Sequence, residues 1–381
     1  MMSRFSDTTP APPASADDVP SCVDRLLAAA VAAHASDIHL RPSADGLEIS
    51  WRLDGVLSAL TVWPKAWAAN VIARMKVLAQ LLTYRTDLPQ EGRLQTATPG
   101  VEMRLSTFPT LHGEKAVVRL FVASGQYRLL EDLALPADLA GSLRHLLQET
   151  AGVFVVSGPA GSGKTTTAYA CLREMQRTSN GARSLVTLED PIEAELTGVA
   201  QTQVHRPAEF TYPLGLRSLL RQDPDVIFVG EIRDRETAAT SFQAGLAGHL
   251  VLTTFHAGSA AEALVRLVDL GVEPYLLRAG LRGILCQRLL RQRCDCAAPA
   301  GCELCWHTGY RGRRVIAELL SPTAVRSGPA WSANLTEWQA AAVAGGMIPL
   351  ETRAADAITA GWTTPEEVYR VLGTATDGLR Q

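Results

Sequence analysis

The sequence predicts an α/β protein whose parallel sheet carries helices on both faces, preceded by a small α+β domain. Three observations carry this. The glycine-rich stretch Gly158-Pro159-Ala160-Gly161-Ser162-Gly163-Lys164-Thr165 lies between the apolar run Val153-Phe154-Val155-Val156 and the segment Thr166-Thr167-Ala168-Tyr169-Ala170, so it reads as strand, loop, helix. From Leu139 onward, strand-like runs at 153–157, 184–188, 226–230 and 250–254 alternate with helical segments, the pattern of a parallel sheet wound with helices. Ahead of them, residues 21–124 mix helix-like segments with short strand candidates and a hairpin turn, which together make a small α+β domain.

The elements follow in order. Residues 1–20 are rich in Pro, Ala, Ser, Thr and Asp and read as a flexible tail. Val23, Leu26, Leu27, Ala30 and Val31 then recur with helical spacing. Strands are expected at 37–40, 47–53 and 56–60, with Asp54-Gly55 as a two-residue hairpin turn. A helix over 67–82 and strands at 102–108 and 115–121 complete the domain. Residues 125–138 read as a linker with a short amphipathic piece, and 139–381 as the main domain. Its last part, 331–381, is expected to be helical, punctuated at Gly345-Gly346, Gly361 and Thr364-Pro365.

With 381 residues, 47% hydrophobic and 20% charged, the chain has the composition of a globular protein with sizeable cores. Its net charge of −3 gives no global polycation for gripping nucleic acid. No apolar run is long enough for a membrane span, and Met1–Pro20 lacks a secretory pattern, so the expected location is cytosolic. Cys22, Cys171 and Cys286 sit in apolar, helix-like surroundings and read as buried small hydrophobes. Cys294, Cys296, Cys302 and Cys305 crowd together and need another explanation.

The glycine-rich loop is a complete P-loop. Its glycines let successive N–H groups turn inward around phosphate at a helix N-terminus, so the chain is expected to bind a nucleoside triphosphate. Lys164 would reach the β/γ-phosphates, and the Thr165 hydroxyl would ligate Mg²⁺. Downstream, Thr187-Leu188-Glu189-Asp190-Pro191-Ile192-Glu193 places carboxylates at a strand end. Val226-Ile227-Phe228-Val229 runs into Gly230-Glu231, a Walker B pattern in which a core strand delivers a carboxylate to metal and water. His249 precedes and His256 follows a further strand, so the two histidines are expected at opposite sheet edges.

Together, residues 158–165, 189–193, 221–234 and 248–256 resemble the Walker A, Asp box, Walker B and His box of the secretion ATPase family of type II secretion and type IV pilus assembly. Ala35-Ser36-Asp37-Ile38-His39-Leu40, Arg52-Leu53-Asp54-Gly55-Val56, Leu88-Pro89-Gln90-Glu91-Gly92-Arg93 and the segment 104–115 resemble that family's amino-terminal regulatory module. The resemblance implies a RecA-like P-loop NTPase core preceded by a PAS-like α+β module. It implies ATP and Mg²⁺ as ligands, with Gly158, Pro159, Ala160, Gly161, Ser162, Gly163, Lys164, Thr165 and Thr166 around the nucleotide. Glu189 becomes general base and Glu231 the Walker B acid on the metal beside Thr165, or the two roles are exchanged. His249 and His256 would sense the γ-phosphate, and Arg93, Arg104 and Arg119 are candidates to reach the nucleotide from the amino-terminal module.

Family members that drive secretion or pilus extension carry two Cys-x-x-Cys knuckles beside Gly-Tyr-x-Gly-Arg, matched here by the four clustered cysteines and Gly309-Tyr310-Arg311-Gly312-Arg313. Here the first pair has one intervening residue and the loop 297–301 is short, which strains closure around Zn²⁺. His307 is an alternative ligand, and a reduced thiol cluster without metal is the other reading. The resemblance further implies a homo-oligomer, a hexamer, acting on an inner-membrane platform protein from the cytoplasmic face; no nucleic-acid partner is expected, given the near-neutral charge balance and the lack of an evident aromatic-plus-basic stripe. The chain is expected to be a compact member without the additional amino-terminal docking domain. A nucleic-acid translocase and a nucleotide-gated scaffold with little turnover are the competing functions.

Overall fold

The computed structural model describes residues 10–95, 101–122, 129–296 and 301–373. The chain divides into two compact units, residues 1–124 with 293–312, and residues 125–292 with 313–381.

In the first unit, helix α1 (Val19–Ala32) buries Val19, Cys22, Val23, Leu26, Leu27 and Ala30 along one stripe. It leads into β1 (Asp37–Pro42), β2 (Gly46–Leu53) and β3 (Val56–Pro64), then α2 (Ala68–Leu78), β4 (Gln90–Leu94), β5 (Val101–Thr110) and β6 (Gly113–Val122). These strands form an antiparallel sheet in the order β3-β2-β1-β6-β5-β4. Period two decides its faces: Leu47, Ile49, Trp51 and Leu53 are buried in the core with α1 and α2, while Glu48, Ser50 and Arg52 point the other way. Asp54 and Gly55 turn the β2–β3 hairpin with φ of 47° and 85°, the left-handed pair such a two-residue turn requires. Lys76 of α2 is completely buried and donates to both carboxylate oxygens of Glu114 on β6 (2.9 and 3.0 Å) and to the Arg85 carbonyl (2.7 Å).

Part of the segment expected as tail is packed. Residues 1–9 lie outside the described residues, but Pro13 is buried and the Pro10 carbonyl accepts from the Trp63 indole at 3.3 Å. The cysteine segment also departs from expectation. It belongs to the first unit rather than to the main domain, because Trp306 packs edge-on against Trp51 (5.3 Å between ring centres) and the Gly312 N–H donates to Asp54.

The second unit opens with α3 (Ala137–Leu146), β7 (Gly152–Ser157), α4 (Lys164–Ser179), β8 (Leu185–Glu189), β9 (Ala200–Gln203) and α5 (Tyr212–Leu219). It continues through β10 (Val226–Val229), α6 (Arg235–Leu246), β11 (Leu250–Phe255), α7 (Ala260–Asp269), α8 (Pro274–Gly280), β12 (Leu281–Arg293) and β13 (Tyr310–Leu320). Helices α9 (Pro322–Arg326), α10 (Leu335–Ala344), α11 (Leu350–Thr359) and α12 (Pro365–Leu372) close it. The sheet order is β13-β12-β7-β11-β10-β8-β9, and the pairings from β12 to β9 are parallel.

β7, β8, β10 and β11 are buried at every position, as sheets covered on both faces require. Alternate residues feed two cores: Phe154 and Val156 pack with α3 and α4, Val153 and Val155 with α6 and α7. Cys286, read from sequence as lying in a helix-like setting, is on strand β12 and fully buried. Within the segment expected as a linker, residues 125–128 lie outside the described residues, while Leu130 and Leu133 are buried. On β13, the buried Glu318 carboxylate accepts from Ala260 N (2.7 Å) and Leu350 N (3.1 Å), the first residues of α7 and α11.

Candidate functional site

Parallel strands bring their carboxyl ends to one edge, so the residues following β7, β8, β10 and β11 converge there. A cavity of about 340 Å³ opens at that edge. It is lined by Ala160, Gly161, Gly163, Lys164, Thr165 and Thr166 from the phosphate loop and the start of α4, by Glu189 at the end of β8 with Asp190 and Glu193 after it, by Glu231 and Arg233 after β10, and by Tyr212 and His256.

The loop geometry follows from its glycines. Gly163 caps α4 at φ 85°, and at Gly158 (φ 148°) a Cβ would lie 2.5 Å from Ser162 Oγ and 2.6 Å from the Gln287 carbonyl. Ser162 is buried behind the loop, and Lys164 Nζ reaches back to the carbonyls of Gly158 (2.9 Å) and Pro159 (3.0 Å). Burial pulls the Lys164 ammonium below its ordinary pKa, opposed chiefly by the Glu231 charge.

The three carboxylates differ in kind. Glu189 is buried with both oxygens engaged: Oε2 accepts from the Tyr169 hydroxyl, and Oε1 from Thr187 (2.6 Å) and Gln201 (3.2 Å). Glu193 accepts from Thr165 Oγ1 at 3.3 Å, and burial holds its carboxyl above the ordinary range despite that bond. Glu231 faces the cavity beside Arg233, with His256 Nε2 3.7 Å from its Oε2. Burial and then the Lys164 charge hold His256 below its usual pKa, opposed by the Glu231 charge.

Glu193 was not singled out in the sequence; the non-helical segment after β8 brings it to Thr165, a contact with no local sequence signature. His249 stays away from this constellation. Its Nδ1 is 2.7 Å from the Pro224 carbonyl ahead of β10, at the far end of β11 from His256. At strand rise the two histidines are roughly 23 Å apart, so His249 is not a phosphate sensor by contact.

Arg93, Arg104 and Arg119 are register neighbours across β4, β5 and β6, and the row continues to Asp37 and Arg52. Glu102 pairs with Arg93 (3.5 Å) and Arg104 (3.1 Å), while the buried Asp37 holds Arg119 (2.9 Å) and Arg52 (3.5 Å). The sulfurs of Cys294, Cys296, Cys302 and Cys305 all lie within 4.8 Å of one another. Burial disfavours the Cys305 thiolate, but backbone N–H groups of Cys302 and Gly309 and the adjoining thiols outweigh it and bring the thiol to about 7.

A phosphate loop, a Walker B carboxylate and a cysteine cluster in one chain narrow the family, and the family model described as "Type II/IV secretion system protein" matches residues 14–370. The chain belongs to the type II/IV secretion system protein family. It is an ATPase of that family. The type II secretion system protein HxcR of Pseudomonas aeruginosa is 39% identical over 92% of this chain and 76% of its own length. The type II secretion system ATPase E of Vibrio cholerae is 39% identical over 80% of this chain, and the type IV pilus assembly ATPase TfpB of Acinetobacter baylyi 38% over 95%; each is spanned over 66% of its length. The fold is that of the Legionella pneumophila ATPase DotB (TM-score 0.71, 21% identity, 94% of this chain and 96% of that one) and of the pilus retraction motor PilT (TM-score 0.59, 24% identity, 91% and 96%).

Proposed function

We propose that this chain is the ATP-hydrolysing motor of a type II secretion or type IV pilus-type assembly system. The observation that carries the reading is the meeting of the phosphate loop with Glu193 and Glu231 on one sheet edge. The second unit serves as a RecA-like core and the first as a PAS-like regulatory module. Thr165 Oγ1 and the Glu193 carboxylate, 3.3 Å apart, are the hard oxygen donors that suit Mg²⁺, which when bound neutralises phosphate charge. Glu231 faces the cavity and takes the proton from the attacking water. Glu189, saturated by three donors, holds the loop after β8 in register.

The motor works as a homo-hexamer on an inner-membrane platform protein from the cytoplasmic side. Among the described residues, no helix is long and apolar enough to cross a membrane. The test is the mass and turnover of the purified protein with ATP and Mg²⁺: a six-fold particle that hydrolyses ATP is expected. A persistent monomer, or hydrolysis that needs single-stranded DNA, overturns the reading in favour of a scaffold or a nucleic-acid translocase.

The cysteine cluster is proposed to hold a structural Zn²⁺. Tetrahedral thiolates at a Zn–S distance of about 2.3 Å lie about 3.8 Å from each other, and Cys294 Sγ to Cys302 Sγ is 3.9 Å. One zinc per chain is expected by elemental analysis, lost together with several degrees of melting temperature in Cys302→Ser. Metal-free protein of full stability removes the proposal.

A further inference from the structure

β12 reads Leu281 to Arg293, and its central residues sort by face. Leu285 and Leu289 pack with α4, and Ile284, Cys286 and Leu290 join the core beneath α6 and α7. Gln287 interrupts the first stripe and Arg288 the second, at the level where β7 ends, since Cys286 is paired with Ser157. Burying an amide in such a stripe costs free energy unless a specific bond returns it.

Gln287 is completely buried and makes such a bond: its Nε2 donates to the Ser162 carbonyl at 2.7 Å, across 125 residues of sequence. Its Oε1 is buried and, among the described residues, has no donor. The amide therefore does not serve its own satisfaction. It grips the phosphate loop at the peptide that joins Ser162 to Gly163. The contact is close, because a Cβ on Gly163 would lie 3.2 Å from the same Nε2.

Arg288 does the equivalent on the opposite face. Its Nη2 donates to the Gly258 carbonyl at 2.5 Å, fixing the loop that carries His256. Two successive residues of one strand thus hold two of the loops that line the cavity.

We propose that Gln287 is a positioning residue of the nucleotide site, aligning the phosphate-loop N–H groups through the Ser162 carbonyl. The proposal rests on the ATPase reading. It predicts that Gln287→Met, of equal length but without a donor, raises the KM for MgATP by about tenfold, the size of one lost hydrogen bond. Hydrogen exchange at 158–165 should quicken while that of 153–156 is unchanged. Gln287→His, which keeps an N–H at similar reach, should stay within about twofold of the parent and serves as the test should the methionine variant not fold.

A methionine variant with parental KM and loop protection overturns the proposal. So do methionine and histidine variants equally impaired, which would make Gln287 a packing residue. Failure of the parent protein to bind ATP would instead sink the ATPase reading, so the two failures are distinguishable.

Discussion

Glu231→Gln is expected to cut ATP turnover by about 10²–10⁴-fold while ATP binding stays within a few-fold of the parent, the range spanned by removing a positioned base. The reasoning is one of access. Glu231 borders the cavity with Arg233 paired to its Oε1 and only His256, 3.7 Å away, near its Oε2, whereas both oxygens of Glu189 are buried and already accept hydrogen bonds from Tyr169, Thr187 and Gln201. Glu189→Gln should therefore behave differently. A glutamine presents an NH₂ either to the Tyr169 hydroxyl or to Thr187 and Gln201, so the melting temperature falls along with turnover. Glu193→Gln should raise the Mg²⁺ concentration needed for half-maximal rate and leave the rate at saturating metal largely intact. Steady-state kinetics with a magnesium titration and a melting curve for each variant separates the three. Normal turnover in Glu231→Gln, with a stable but inactive Glu189→Gln, would hand the base role back to Glu189.

The second large effect concerns folding of the first unit. Glu114→Gln is expected to destabilise it by about 3–5 kcal/mol, because the Lys76 ammonium, with no exposed surface, loses its carboxylate partner. Replacing both residues by apolar ones of similar volume, Lys76→Met with Glu114→Leu, should recover much of the loss, since a buried ion pair contributes little net stability over a well-packed hydrophobic pair. Denaturant titration of the two variants checks this. A single variant as stable as the parent would mean that water reaches Lys76 and that the pair is not sealed.

The phosphate loop was legible because its chemistry is contiguous: the glycines, Lys164 and Thr165 must follow one another between a strand and a helix, and β7 and α4 flank them. The β2–β3 hairpin was legible for the same reason, its turn residues adjacent and flanked by alternating side chains. β12 was not. Leu-Arg-Gly-Ile-Leu-Cys-Gln-Arg-Leu-Leu-Arg is rich in good helix formers, and only pairing with β7 makes it a strand, a tertiary override of local preference. The grouping of the cysteine segment with the first unit depends on Trp51 meeting Trp306, and the rank of the carboxylates on which oxygens are occupied. Neither has a local signature. The placement of His249 and His256 at opposite ends of β11 was legible from their spacing; the sensing role that the resemblance gave to His249 was not compatible with that placement.

Glu318 bears on how the protein could be shortened. One carboxylate closes the leading ends of α7, just after His256, and of α11, in the carboxyl-terminal helices. Those late helices are thus no detachable appendage: a chain ending before Leu350 would strip the anion of half its amide shell and loosen the segment that borders the nucleotide cavity.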